Sequence, residues 1–219
     1  MKPPAQLRID IVSDVVCPWC AVGYKQLEQA IRLMADKAEF GIRWHPFQLA
    51  PNLPLEGQSI ADYGRERYGA TPEQSAANRT RIRDAGASLG LEFNYSADSR
   101  IYNTRTAHKL LTWAGEKGGQ TALKLALFYA YFTDQLNIAD EDVLLDSVEK
   151  AGLDRAAAAL ALKDPHYDKV VDAELHHWQM QNITGVPAFI VNGKYMIPGA
   201  QDVETFVRVL DRIIEKEAA

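Results

Sequence analysis

The chain has 219 residues, 47% of them hydrophobic and 24% charged, which is enough apolar material for a substantial core and excludes disordered and fibrous classes. Its 24 basic and 29 acidic residues leave a net charge of -5, so neither nucleic acid nor an anionic membrane is an expected partner. No run of about 18 apolar residues occurs, which excludes a membrane-spanning helix, and no leader-length apolar run precedes Asp10, so the cytoplasm is the expected compartment.

In chain order, Leu7 to Val12 alternates apolar and polar and predicts a strand. Ser13-Asp14-Val15-Val16 leads from it into Cys17-Pro18-Trp19-Cys20, followed by the helical spacing of Val22, Leu27, Ala30, Ile31 and Met34. Phe40 to Leu49 predicts a second strand, parallel to the first through that helix, with Pro46 marking an edge or a bulge. From Ser59 to Lys163 the chain is rich in Ala, Leu, Arg and Glu without a convincing strand run, which predicts an all-helical block. Helix starts are expected at Thr71-Pro72, Asn103-Thr104, Gly119-Gln120 and Asp140-Glu141, and stops at Gly69, Gly90, Gly115 and Gly152. A helix over about 165–181 returns the chain to the sheet. Ala188 to Val191 and Tyr195 to Ile197 then flank Asn192-Gly193, a strong signal for a type I′ hairpin. Val203, Phe206, Val207, Leu210 and Ile213 space a final helix over 202–214.

The two cysteines carry the chemistry. Random placement puts a pair at this spacing in roughly one per cent of cases. One bridge across two residues closes too small a loop to act as a structural staple, and zinc lacks a second ligand pair, so no metal is expected. Redox chemistry remains. Pro18 suits the first helical position, which makes Cys17 the N-cap. A Cys17 thiolate there is expected to accept the free amides of Trp19 and Cys20 and to have a depressed pKa, while Cys20, one turn inward, suits a resolving thiol. Two inert buried thiols are the alternative.

These motifs resemble the DsbA-like thioredoxin-fold superfamily, specifically its cytoplasmic FrnE-like branch. The likeness rests on Asp14-Val15-Val16-Cys17-Pro18-Trp19-Cys20, on Asn103 to Leu110 (NTRTAHKL), and on Thr184-Gly185-Val186-Pro187-Ala188-Phe189 before the Asn-Gly hairpin. It implies an α/β thioredoxin-like fold, a central mixed sheet flanked by helices. The thioredoxin-like domain would comprise residues 1–58 and 164–219, and residues 59–163 an inserted helical domain after the second strand. The implied activity is thiol-disulfide exchange, as reductase, oxidase or isomerase, with Cys17 and Cys20 catalytic. Asp14, Pro18 and Trp19 would support the site, and Val186 and Pro187 would bind substrate. Spacing alone reads Pro187 as trans, whereas the resemblance implies a cis bond facing the cysteines. Partners would be protein or small-molecule thiols and disulfides, acted on by a monomer or homodimer, with no cofactor and with glutathione as a candidate co-substrate. Trp19 stands where exported DsbA commonly has histidine, so a less oxidising couple is expected.

Kappa-class glutathione transferases and 2-hydroxychromene-2-carboxylate isomerases share the scaffold but usually have serine in place of Cys17. Glutathione-dependent transfer or isomerisation is therefore the second reading, and a redox-inert binding protein the third. Asp14 could equally serve only to hold loop amides. His108 is expected to be a packing or surface residue, Phe128, Tyr129, Tyr131 and Phe132 core, and Arg79, Arg81 and Arg83 a solvated helix face.

Overall fold

The computed structural model describes residues 5–218. The chain runs β1 (Ala5–Ser13), α1 (Pro18–Leu33) and β2 (Ala38–Pro46), then β3 (Gln58–Ser59), α2 (Ile60–Tyr68), α3 (Pro72–Ala87), β4 (Arg100–Ile101), α4 (Arg105–Glu116) and α5 (Gln120–Phe128). A π-helical turn over Tyr129–Thr133 extends α5, and α6 (Glu141–Lys150), α7 (Arg155–Lys163), α8 (Pro165–Met180), β5 (Ala188–Val191), β6 (Tyr195–Pro198) and α9 (Val203–Ala218) complete the chain.

The sheet order is β2-β1-β5-β6. β1 and β2 pair in parallel from Ala5 opposite Ala38 to Ser13 opposite Pro46, while β1 with β5 and β5 with β6 are antiparallel. Pro46 therefore ends an edge strand, where its missing N–H costs least. β1 lies between two neighbours and is buried at every position from Ile9 onward, because helices cover both sides of a central strand. The alternation read from its sequence breaks at Asp10, which is buried because it pairs with Arg8 and His45.

At the hairpin tip Asn192 and Gly193 both take positive φ, 52° and 67°, as a type I′ turn demands. The tip is fastened to β1: the Asn192 amide donates to Arg8 O at 2.8 Å, and Asn192 Oδ1 accepts from Arg8 N at 2.9 Å. α9 lays Phe206, Leu210 and Ile213 against the interior, with the Phe206 ring edge-on to Phe189 at 5.0 Å. Gly23 lets α1 approach this layer closely, since a Cβ there would stand 3.2 Å from both Phe189 Cζ and Ala200 Cβ.

The stretch between the sheet halves is not wholly helical, because β3 and β4 form a short antiparallel ladder. Its helix starts follow local chemistry. Thr71 forms a capping box with Gln74, and Asp140 accepts from the amides of Asp142 and Val143. Gly115 does not stop α4, which continues to Glu116; the chain turns at Gly118, where φ is 74°. Asp154 caps the amide of Ala157 and starts α7 as a separate helix. One apolar core runs without interruption from Ile9, Ile11 and Leu27 to Leu110, Leu127, Leu144 and Ala158, so this helical stretch and the sheet bury each other.

Candidate active site

The chain leaves β1 through Ser13, Asp14, Val15 and Val16, all of them buried, and enters α1 at Cys17. Cys17 is the N-cap, with φ -90° and ψ 111°, and Pro18 opens the helix. Its amide donates to Asp14 O at 3.3 Å, and the Cys20 amide donates to Cys17 O at 3.1 Å. Both cysteines are free thiols, Cys17 5% exposed and Cys20 fully buried.

The expected capping of Cys17 is not what forms. Its sulfur accepts no hydrogen bond from the first-turn amides; instead the thiol lies 3.7 Å from Val186 O, to which it donates. The hydrogen bond to Cys20 and then burial push the Cys17 thiol well up, a correction to the depressed value expected from its helix position. Burial raises the Cys20 thiol too, but the Cys17 hydrogen bond, the Lys124 charge and the Ser13 hydroxyl outweigh it and bring Cys20 down. The two buried thiols therefore perturb each other in opposite directions, Cys17 upward and Cys20 downward. Helix-dipole reasoning considers one sulfur against one helix; at Cys17 the second sulfur and burial oppose it.

Val186 reaches the site because the loop before β5 folds over the start of α1, and the Val186–Pro187 bond is cis. Pro187 is buried and Val186 half-buried, so the residues expected to bind substrate stand against Cys17. Trp19 is half-buried at the rim, with the Arg81 guanidinium 5.2 Å from its ring centre. Of the three arginines on α3, Arg81 therefore flanks the site. Arg83 instead holds the carbonyls of Phe93 and Tyr95.

Asp14 is fully buried and accepts from the amides of Val15 and Leu49, both at 2.7 Å. Its carboxylate fixes the loop beneath the cysteines. It also meets His108 of α4, whose Nε2 lies 3.4 Å from Asp14 Oδ1 and 2.9 Å from Phe47 O. His108 is thus a packing residue placed directly behind the loop. Asn103 is structural, holding Pro51 O and capping Arg105. Phe128, Tyr131 and Phe132 are core, whereas Tyr129 is exposed.

Sequence reasoning missed Lys124. It lies on α5, fully buried, between the rings of Trp44 and Phe128 at 5.2 and 5.1 Å. The available signal was a single cation inside the apolar run Leu123 to Tyr131. Among the described residues, no group of three or more His, Cys, Asp or Glu is arranged to hold a metal ion, and no helix is long and apolar enough to cross a membrane.

Residues 8–211 match the model of the DSBA-like thioredoxin domain. The chain belongs to this DsbA-like family. An uncharacterized protein of Bacillus subtilis, YwbO, is 30% identical over 205 residues, covering 93% of this chain and 96% of that one. A probable DsbA oxidoreductase from Streptomyces coelicolor superposes with a TM-score of 0.87 at 29% identity, covering 94% of this chain and 89% of that structure. The cytosolic disulfide reductase DsbM from Pseudomonas aeruginosa, solved with GSH, shares the fold with a TM-score of 0.65 at 14% identity, over 95% and 99% of the two chains. The DsbA-like assignment thus agrees with the α/β thioredoxin-like architecture and with the thiol-disulfide chemistry of the family.

Proposed function

We propose that this DsbA-like chain, of the FrnE-like kind, exchanges disulfides through the Cys17-Pro18-Trp19-Cys20 pair by way of a mixed disulfide. The observation that supports this most is the Val186 carbonyl 3.7 Å from the Cys17 thiol, with the buried Cys20 three residues further along α1. Cys17 attacks one sulfur of a substrate disulfide and passes its proton to Cys20 as the new sulfur–sulfur bond forms; the first substrate thiolate leaves. That thiolate takes the proton from Cys20. The Cys20 thiolate then attacks Cys17 Sγ, closing the Cys17–Cys20 disulfide and releasing the second substrate thiolate. The substrate gains two electrons and the protein loses two. Run in reverse, the oxidised pair makes a disulfide in its substrate.

Val186 offers its backbone to an extended substrate in the manner of strand addition, which gives affinity with little sequence choice. Pro18 holds the helix start, and Asp14 fixes the loop below it. Trp19 covers the pair without adding charge, so the couple is expected to be less oxidising than DsbA's value of about -120 mV. Glutathione or another small thiol in the cytoplasm would close the cycle as co-substrate. The test is the redox midpoint of the pair, read by thiol alkylation in glutathione buffers. One two-electron transition that disappears in Cys17→Ser is the expected result; a pair that stays reduced in every buffer overturns the reading.

A further inference from the structure

His45 of β2 is buried with a carboxylate at each ring nitrogen: Asp10 Oδ1 of β1 lies 3.0 Å from Nε2, and Glu174 Oε2 of α8 lies 3.2 Å from Nδ1. A neutral imidazole has one N–H and one lone pair, so only the imidazolium donates to both. Burial opposes that charge, the two carboxylates outweigh it, and the ring titrates above its ordinary value. Arg8 holds Asp10 at 2.9 Å, and Arg43 lies 3.7 Å from Glu174. His108 of α4 and Lys124 of α5 line one small cavity with His45. Asp10 is buried in the central strand, whereas Glu174 rides on a helix with 21% of its side chain exposed. Water can take over Glu174 but not Asp10, so loss of one proton leaves the remaining N–H on Asp10 and turns the Nδ1 lone pair toward Glu174.

From α8 the contacts lead to the loop that meets Cys17. The His45 ring centre lies 4.8 Å from that of Trp178, which His177 meets edge-on. Trp178 stands one turn beyond Glu174 on α8, and its indole N–H has no hydrogen-bond partner, so packing sets the ring. α8 ends in a Schellman motif: Asn182 takes φ 59°, its amide donates to Gln179 O at 3.0 Å, and the Ile183 amide donates to Trp178 O at 3.1 Å. Trp178 and Ile183 are buried together with Val12, Ala188 and Ile190, and Val186 packs against that cluster. The loop carrying Val186 is therefore anchored at the end of α8. We propose that His45 is a positioning residue for the exchange reaction: its imidazolium holds Glu174 and Trp178, and through the C-terminus of α8 it sets the Val186–Pro187 loop against Cys17. This rests on the proposed use of Val186 to bind substrate and adds a pH dependence to it. Protonated His45 keeps the Val186 backbone in place for an extended substrate; neutral His45 releases Glu174, and the loop loosens. The effect falls on substrate binding rather than on the sulfur chemistry.

The test compares the wild-type chain with Glu174→Gln, whose amide can hydrogen-bond the ring in either protonation state and which is checked for folding by circular dichroism. Single-turnover reaction of the reduced chain with a short peptide whose cysteine is disulfide-bonded to thionitrobenzoate gives a half-saturation concentration and a limiting rate. Both are followed across the His45 midpoint, which the ring-proton resonances report. Thiol ionisation moves the limiting rate in the two proteins alike. In the wild type the half-saturation concentration is expected to rise about fivefold as His45 loses its proton, and in Glu174→Gln to change by less than about twofold. Equal profiles in the two proteins overturn the proposal. A second measurement needs no exchange and so separates this inference from the exchange activity. In the chain carrying Cys17→Ser and Cys20→Ser, where no thiol titrates, the Gly185 and Val186 amide resonances should move with the His45 midpoint, and adding Glu174→Gln should abolish that movement. If Glu174→Gln does not fold, the amide titration alone decides. Amides that stay still through the His45 midpoint overturn the inference even in a chain that exchanges disulfides, whereas a chain that fails to exchange while its amides move sinks the activity alone.

Discussion

Cys17 Sγ and the carbonyl oxygen of Val186 stand 3.7 Å apart although 169 positions of chain separate them. The contact joins the start of α1 to the loop before β5, and it sets the thiol beside the half-buried Val186. An extended substrate laid along Val186 would deliver its sulfur to Cys17 without a large side-chain pocket.

The division of labour between the sulfurs is read by trapping. Cys20→Ser leaves the Cys17 mixed disulfide unresolved, so incubation with glutathione disulfide should add one glutathione to the chain by intact mass, removable by dithiothreitol. Cys17→Ser should add none. A chain that is glutathionylated at Cys20 in Cys17→Ser would reverse the assignment of nucleophile and resolver.

Arg81 sits over the Trp19 ring and is an exposed cation at the rim. Removing it as Arg81→Ala should lower kcat/KM for glutathione disulfide, which is anionic, by about fivefold, the upper end for an exposed ion pair. An uncharged disulfide such as hydroxyethyl disulfide should change by less than about twofold. Raising the salt concentration should remove the difference in the wild-type protein. Equal losses for both substrates would make the Arg81 contact one of packing alone.

His45 ties β2 to β1 and α8, its Nε2 3.0 Å from Asp10 Oδ1 and its Nδ1 3.2 Å from Glu174 Oε2. Burial opposes its charge, but these two carboxylates override it and raise the imidazole above its ordinary value. For Asp10 burial works upward, and the His45 bond and charge bring the carboxyl down. A raised histidine contributes stability that is complete below about pH 6.5 and is lost as pH rises through the folded-state value. The lowered Asp10 contributes above about pH 3.9 and is lost on acidification. The urea midpoint should therefore fall on the alkaline side of neutrality in the wild type. His45→Gln should cost about 3 kcal/mol at pH 6 and flatten that alkaline fall. An unchanged slope in His45→Gln would place the titrating group elsewhere.

Asn192 combines a left-handed backbone with a side-chain bond to Arg8 N. Asn192→Ala loses both advantages and should cost about 2 kcal/mol in urea unfolding. Asn192→Gly restores the backbone freedom and should recover about half of the loss. A fully neutral Asn192→Ala would show that the hairpin register is held by β5 and β6 without its turn.

Much of this organisation could be read locally. The Cys17 N-cap with Pro18 behind it, the Asn192-Gly193 turn, the caps at Thr71, Asp140 and Gly119, and the helical spacing of Phe206, Leu210 and Ile213 each depend on a few neighbouring residues whose backbone preferences act within one turn. The misreadings are of another kind. Gly115 tolerates a helix because the terminus is set by Gly118, and the two-residue pairing of β3 with β4 has too short a pattern to announce itself.

Local patterns along the chain establish that a Cys-x-x-Cys pair opens a helix after a strand, that a hairpin and a helix close the same sheet, and that the chain resembles DsbA-like proteins. Each of these is a short-range pattern of spacing, turn chemistry or motif. Folding in three dimensions is what sets Val186 beside Cys17 and buries Lys124 of α5 between Trp44 and Phe128, and it perturbs the two thiols in opposite directions. Electrostatic energies there are set by distance and dielectric between groups from separate elements, and no local pattern along the chain encodes them.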